Sequence, residues 1–191
     1  GWMRRNVPDD GSVTITDVSA AQCCIGVWGP KARELMTRVC EDDLTNDGFP
    51  YLAARQITVD GVPCLAVRIS YAGELGWEVY AATELGLRLW DTLWEAGQSL
   101  GVVAAGGGAF DSLRLEKGYR LWGQDIHTEY NPYEAGIGFA VRLKKGDFIG
   151  RDALVGIRSE GATRKLCCMT LDDPDEVVLG KEPILHGDEV L

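Results

Sequence analysis

SYAGELGWEVY, residues 70–80, is the most informative stretch of the chain. Its two glycines allow a sharp reversal of the chain, and the residues from Trp77 onward have strand character. Because successive side chains of a strand point to opposite faces, Glu78 points away from the apolar face formed by Trp77 and Val79. The pattern predicts a strand that carries one carboxylate on its polar face.

The chemistry available to Glu78 follows from its charge and its rigid position. A carboxylate held on a strand beside Tyr71 suits a planar heterocycle with two adjacent N–H donors, because charge-assisted bidentate hydrogen bonds are strong and fix ring orientation. An ordinary surface carboxylate fits the same pattern. The residues alone leave both interpretations open.

Strand patterns lie on both sides of this stretch. Arg55–Asp60 and Val62–Ser70 are joined at Asp60-Gly61, a dipeptide that tolerates the positive φ angles of a tight hairpin turn. Trp77–Ala81 follows as a third strand. Alternating or β-branched runs predict further strands at Val13–Val18, Cys24–Trp28, Val102–Ala105, Gly138–Leu143 and Lys165–Leu171.

Helix signals separate these strands. Gly29-Pro30 opens one helix, and Thr83 is placed to cap a longer one whose apolar stripe is expected to enter the core. Two more helices are expected at Ala109–Lys117 and from about Asp152. The stripe of the long helix consists of Leu89, Trp90, Leu93, Trp94, Gly97 and Leu100.

The order of these elements indicates an α+β protein. A β-α-β-β-α-β order is typical of a ferredoxin-like split β-α-β layer and not of a doubly wound sheet. From residue 164 a new strand pattern begins, with little in the chain to pair with it. We therefore expect a domain at residues 1–163, followed at 164–191 by the beginning of a β-barrel domain.

The composition of the chain disfavours nucleic acid and membranes as binding partners. The formal net charge of −10 disfavours nucleic acid, and no apolar run reaches the roughly 20 residues of a membrane span. The six cysteines lack the spacing of zinc or redox motifs. We expect them to be small buried hydrophobes in a reducing, cytoplasmic compartment, and we expect no membrane partner.

The sequence lacks the motifs of several kinds of catalytic and metal-binding site. Gly106-Gly107-Gly108 is not followed by the Lys-Ser/Thr of a phosphate-binding loop, and no Gly-x-Ser-x-Gly elbow is present. The acidic run at Asp172–Glu176 lacks the spacing of a calcium loop. The residues therefore predict neither a hydrolytic triad nor a metal site.

Five stretches, one of them within residues 70–80, occur in the order and spacing of a known family. The chain resembles the glycine-cleavage T-protein (aminomethyltransferase) superfamily over nearly its whole length. More narrowly, it resembles the folate domain fused to FAD-dependent dimethylglycine and sarcosine dehydrogenases. The stretches are Trp28–Arg33 (WGPKAR), Tyr71–Glu78 (YAGELGWE), Asp111–Tyr119 (DSLRLEKGY), Pro132–Phe139 (PYEAGIGF) and Phe148–Ala153 (FIGRDA).

The resemblance implies a site for tetrahydrofolate, to which the family transfers a one-carbon unit within a cavity among three domains. Glu78 would hold the N–H edge of the pterin, with Tyr71 beside it, and Tyr119 and Phe139 would supply aromatic walls. Arg114 would either contact folate or pair internally, with Glu116 or a neighbouring strand.

Departures from the family pattern modify this expectation. Phe110 occupies the position at which stand-alone T-proteins carry an arginine, which favours the dehydrogenase-fused branch. No residue here matches the family's catalytic aspartate, which lies upstream, so the chain is expected to hold no catalytic residue. We expect a fragment whose partners are the missing FAD domain and C-terminal β domain of its parent, and FAD itself is not expected to bind this region.

Three functions remain open on this basis. The first is the tetrahydrofolate-binding region of an FAD-dependent N-methyl amine oxidoreductase, which captures the one-carbon unit as 5,10-methylenetetrahydrofolate. The second is a glycine-cleavage aminomethyltransferase, which needs no flavin. The third is a non-catalytic folate-binding or scaffold module.

Overall fold

A computed structural model describes residues 1–190, which divide after Tyr119 into two compact units. The first unit holds four helices and four strands. They are α1 (Trp2–Arg5), β1 (Gln22–Trp28), α2 (Ala32–Val39), β2 (Ala54–Val59), β3 (Val62–Val67), β4 (Gly76–Ala82), α3 (Gly86–Gly97) and α4 (Gly107–Glu116). The second unit contains α5 (Arg151–Glu160), β5 (Leu185–His186) and β6 (Glu189–Val190).

The four strands of the first unit form one antiparallel sheet in the order β1-β4-β3-β2. The β2–β3 hairpin turns at Asp60 and Gly61, whose φ angles are 45° and 76°. Two successive positive φ angles give the turn the right-handed twist of the flanking strands. The α+β class and the hairpin predicted at Asp60-Gly61 are therefore confirmed.

The hydrophobic core lies on one face of the sheet, beneath α2 and α3. Trp77 and Val79 of β4 are fully buried there, together with Met36 of α2 and Leu89 of α3. Burying one such side chain contributes roughly 2–3 kcal/mol relative to leaving it in water. The alternation of side chains along β4 therefore determines which face of the sheet is apolar. The β4 side chains on the other face are half-buried, and this face is hereafter the open face.

Four predicted strands are absent from the described residues. Val13–Val18, Val102–Ala105 and Lys165–Leu171 have no strand partner, and Val13 and Val18 are 47% and 50% exposed. Gly138–Leu143 instead forms 3-10 turns at Gly138–Ala140 and Leu143–Lys145. The backbone N–H and C=O groups of a strand need hydrogen-bond partners on a neighbouring strand. A strand pattern in the sequence does not specify which segment that neighbour is.

The long helix, α3, differs from its prediction in where it begins and in one residue of its apolar stripe. Thr83 does not cap it, since Thr83 Oγ1 donates to the carbonyl of Ala20 at 3.0 Å and α3 begins at Gly86 after a 3-10 turn. Leu89 and Leu93 enter the core as expected. Trp90, by contrast, is 42% exposed and stacks on Trp94 with ring centroids 6.0 Å apart.

The cysteines fall into two groups. Cys40 and Cys64 are buried as predicted, whereas Cys24, Cys167 and Cys168 are exposed. Burial raises the pKa of the Cys64 thiol to about 11, so it is a protonated, inert core residue. The prediction that all six are buried hydrophobes is wrong for the exposed ones, because they lie on an open sheet face or in extended chain.

The second unit holds less regular structure. Asn131 organises its loop, because Asn131 Oδ1 accepts from the backbone N–H groups of Tyr133 and Glu134 at 2.9 and 3.0 Å. The helix expected near Asp152 is present as α5, and β5 pairs with β6 as a short hairpin. The domain boundary expected after residue 163 stays a prediction.

Within residues 1–190, no helix has the length and apolarity that a membrane crossing requires.

Candidate functional site

The loop before β4 has a fixed shape. Gly73 has a φ of 80°, and the backbone N–H of Glu74 donates to Ser70 Oγ at 3.1 Å. A Cβ added to Gly73 would lie 2.6 Å from the stem of Lys117, so this backbone lies directly against the end of α4. The loop therefore places Tyr71 beside the last turn of α4.

Glu78 lies on the open face of the sheet. Its neighbours Trp77 and Val79 are fully buried on the core face, whereas Glu78 is half-buried. In the strand register Glu78 is opposite Gly26 of β1 and Val67 of β3. The predicted orientation is confirmed, and Glu78 stands between a position without a side chain and an apolar one.

Tyr80 shares this face and contacts the Glu78 carboxylate. Its hydroxyl donates to Glu78 Oε2 at 2.5 Å, and Tyr80 is opposite Cys24 in the register. The hydrogen bond to Glu78 holds the pKa of Tyr80 well above its ordinary value. Tyr80 is therefore a protonated donor to the carboxylate at neutral pH.

Trp28 covers the neighbouring strand position. A Cβ on Gly26 would lie 2.1–2.7 Å from atoms of the Trp28 ring, so the indole lies over Gly26, and only glycine permits this approach. Trp28 Nε1 donates to the carbonyl of Ile69 at 2.9 Å. The indole is thereby fixed next to the strand position that faces Glu78.

Four aromatic rings of the first unit form a continuous row, hereafter the aromatic row. Centroid distances are 5.3 Å from Trp28 to Phe110, 5.4 Å from Phe110 to Tyr71 and 5.8 Å from Tyr71 to Tyr119. The last pair is stacked, at 19° between the planes. Each such contact contributes about 0.5–1.5 kcal/mol beyond area burial, so the row is a rigid wall.

Arg114 supports one end of the aromatic row. It is buried, its Nε donates to Asp111 Oδ1 at 2.7 Å, and its Nη1 donates to the carbonyl of Tyr119 at 3.0 Å. Asp111 is therefore an internal partner of Arg114, which the sequence had not made a candidate. A direct contact between Arg114 and folate stays a prediction.

Phe139 belongs to the second unit. It lies in the 3-10 turn Gly138–Ala140 and is 75% exposed. The structure thus brings Tyr71 and Tyr119 together and places Glu78 on the same unit. The role expected of Phe139 as an aromatic wall stays a prediction.

A separate cavity of about 490 Å³ opens along β1 in the first unit. Trp28 and Phe110 line it together with Trp90 and Trp94 of α3. Among the described residues of this unit, none of the predicted folate-binding residues lines it. Two members of the aromatic row therefore border the cavity, whereas Glu78 does not line it.

Residues 1–145 match the family model described as the GCVT N-terminal domain. The chain belongs to this family. The predicted membership of the T-protein superfamily is thereby confirmed.

Individual relatives of this GCVT-domain chain come from two groups of proteins. It is 38% identical over 192 residues to mitochondrial dimethylglycine dehydrogenase of Homo sapiens, covering 100% of this chain and 22% of the human protein. It is 41% identical over 182 residues to an aminomethyltransferase of Symbiobacterium thermophilum, covering 94% of this chain and 48% of that protein. The chain thus spans between about a fifth and a half of the length of these relatives.

A solved structure supports the fold. Glycine cleavage system aminomethyltransferase T from Bartonella henselae superposes with a TM-score of 0.61 and 25% identity, covering 73% of this chain and 37% of that chain. The antiparallel sheet described above is therefore the fold of this family.

Sequence reasoning missed three residues of the site in this GCVT domain. Tyr80 was detectable, because a residue two positions after Glu78 shares its face. Trp28 and Phe110 were noticed as sequence landmarks but were not assigned to the site. Their contacts depend on strand register and on the packing of α4, for which the local sequence carries no signal.

Proposed function

We propose that this chain is the tetrahydrofolate-binding region of an FAD-dependent oxidoreductase for N-methyl amines such as dimethylglycine or sarcosine. The observation that carries the proposal is the Glu78 carboxylate, half-buried on a rigid strand and adjacent to the position covered by Trp28. The relative named dimethylglycine dehydrogenase, aligned over the whole chain, supports the class of donor.

The residues fit a reduced pterin. Glu78 is an acceptor for adjacent N–H donors, and a charge-assisted hydrogen bond in a partly desolvated position is stronger than a neutral one. The stacked rings of Tyr71 and Tyr119 offer a flat apolar surface to a planar ligand. Arg114 contributes indirectly, because it holds the backbone of Tyr119.

In this proposal the chain contributes position more than reactive groups. Bound tetrahydrofolate would supply the nitrogen that receives the one-carbon unit. Glu78 would orient the ring, and the aromatic row would limit the ring's movement and exclude water from one side. Holding two reactants in a fixed geometry removes a large entropic part of a bimolecular barrier. Proton transfer is left to the family's aspartate, which the resemblance places upstream of these residues.

Isothermal titration with folinic acid, an oxidation-resistant tetrahydrofolate derivative, tests the binding. The Glu78→Gln variant is expected to bind about 10- to 100-fold more weakly, because a hydrogen bond to a charged group is worth about 1.5–3 kcal/mol. Glu74→Gln, a change of the same kind at an exposed loop residue, is the matched control and should bind like the wild type. Equal affinity of wild type and Glu78→Gln would contradict the assignment.

A glycine-cleavage aminomethyltransferase is the second candidate. The 41% identity to the aminomethyltransferase of Symbiobacterium thermophilum favours it. Phe110 counts against it, because the stand-alone proteins are expected to carry an arginine at this position. Assay of the natural full-length protein with dimethylglycine or sarcosine decides the matter: flavin-dependent oxidation supports the first proposal, and aminomethyl transfer without flavin supports the second.

A further inference from the structure

Glu78 and Tyr80 form a fixed pair on β4. Both side chains lie on the open face, because they are two residues apart on one strand. The Tyr80 hydroxyl donates to Glu78 Oε2 at 2.5 Å. One oxygen of the carboxylate is therefore already engaged before any ligand binds.

The surroundings restrict the movement of this pair. Tyr80 is flanked in the register by Cys24 of β1 and Leu65 of β3, and it is half-buried. Cys24 and Glu78 are the titratable groups that interact with the Tyr80 hydroxyl. The phenol therefore has a defined place, and its proton has Glu78 as a strong acceptor.

We propose that Tyr80 is a positioning residue of the folate site: it fixes the plane of the Glu78 carboxylate and leaves Oε1 to receive the N–H edge of the pterin. The inference rests on the proposed folate function. It also changes the expected contact from a bidentate one to one made by Oε1, since Oε2 is already engaged by Tyr80. A carboxylate without this tyrosine can rotate about its last bond, and it must lose that freedom on binding.

A double-mutant cycle separates positioning from a general structural role. Folinic acid is titrated into the wild type, Tyr80→Phe, Glu78→Gln and the double variant. Tyr80→Phe is expected to weaken binding about 5- to 10-fold, the value of one hydrogen bond, and to have less than a twofold effect in the Glu78→Gln background. A structural role would weaken both backgrounds equally. Tyr51→Phe, at a 60% exposed tyrosine, is the matched control and should bind like the wild type.

A titration without ligand tests the pair directly. In ¹³C-tyrosine NMR spectra, the pKa of Tyr80 is expected to fall toward its ordinary value in Glu78→Gln, because the acceptor that retains the proton is weakened. An unchanged Tyr80 titration overturns the inference. Tyr80→Phe with wild-type affinity, while Glu78→Gln binds weakly, overturns the inference and leaves the proposed function intact. Loss of all binding in the wild type overturns both.

Discussion

At the scale of single residues, Arg114 is a buried charge that supports one end of the aromatic row. Burying a guanidinium is unfavourable unless its donors are satisfied, and here they are directed to Asp111 and to the carbonyl of Tyr119. The second bond holds the chain where it leaves α4. Tyr119 in turn stacks on Tyr71, so the position of the aromatic row depends on a residue outside it.

Replacing Arg114 with Met should lower the free energy of unfolding by about 2 kcal/mol, because the partly buried carbonyl of Tyr119 and the carboxylate of Asp111 each lose a donor. Urea denaturation followed by tryptophan fluorescence measures this change. Arg158→Met, at an exposed arginine of α5, should change stability by no more than about 0.5 kcal/mol. Equal effects of the two variants would mean that the Arg114 hydrogen bonds do not contribute to stability.

At the scale of elements, the β2–β3 hairpin fixes the register of one half of the sheet. Its turn is connected to both packed helices: the N–H of Asp60 donates to the carbonyl of Val39 at 2.8 Å, and Arg88 Nη2 donates to the carbonyl of Asp60 at 2.7 Å. A two-residue turn sets the pairing of the whole hairpin, because a slip by one residue would reverse which side chains face the core.

The Gly61→Ala variant should be destabilised by about 1 kcal/mol, since an alanine is strained at the observed φ of 76°. Gly107→Ala is the matched control. An added Cβ there meets no atom within 4 Å, and the residue begins α4, so that change should be neutral or slightly stabilising. Thermal unfolding of both variants distinguishes them, and a stable Gly61→Ala protein would show that the turn tolerates another geometry.

At the scale of the whole molecule, burial is concentrated in the first unit. Its core contains nearly all the buried apolar residues, whereas every residue of 161–190 except Leu166 is exposed. A segment with few buried apolar contacts opens at little cost in free energy. The two units should therefore differ in their resistance to local unfolding.

Limited trypsin digestion should cleave after Lys181 well before it cleaves after Arg55 or Arg68. The first site is in exposed chain, whereas Arg55 is in β2 and Arg68 is hydrogen-bonded to the carbonyl of Phe49 at 2.7 Å. Mass spectrometry of a time course measures the order of cleavage. Early cuts within the sheet would show that it is not the stable part of the molecule.

The sequence predicted those features of the fold that arise from local geometry. The hairpin turn followed from two residues that accept positive φ, and the face of Glu78 followed from strand alternation. The strand predicted at Val13–Val18 does not form. Its side chains alternate as those of a strand do, but a strand also requires a second strand to pair with. Arg55–Asp60 and Val62–Ser70 could be predicted as a pair because a two-residue turn joins them, whereas the pairing of Cys24–Trp28 with Trp77–Ala81 is visible only in the structure.

Sequence patterns were therefore sufficient to predict the family, the α+β class and a carboxylate on an open strand face. The surroundings of that carboxylate depend on the packing of the folded chain. Phe110 lies between Trp28 and Tyr71, across separations of about 40 to 80 residues in the chain. Such contacts result from register and packing among distant elements, whereas sequence periodicity reports only on neighbours within one element.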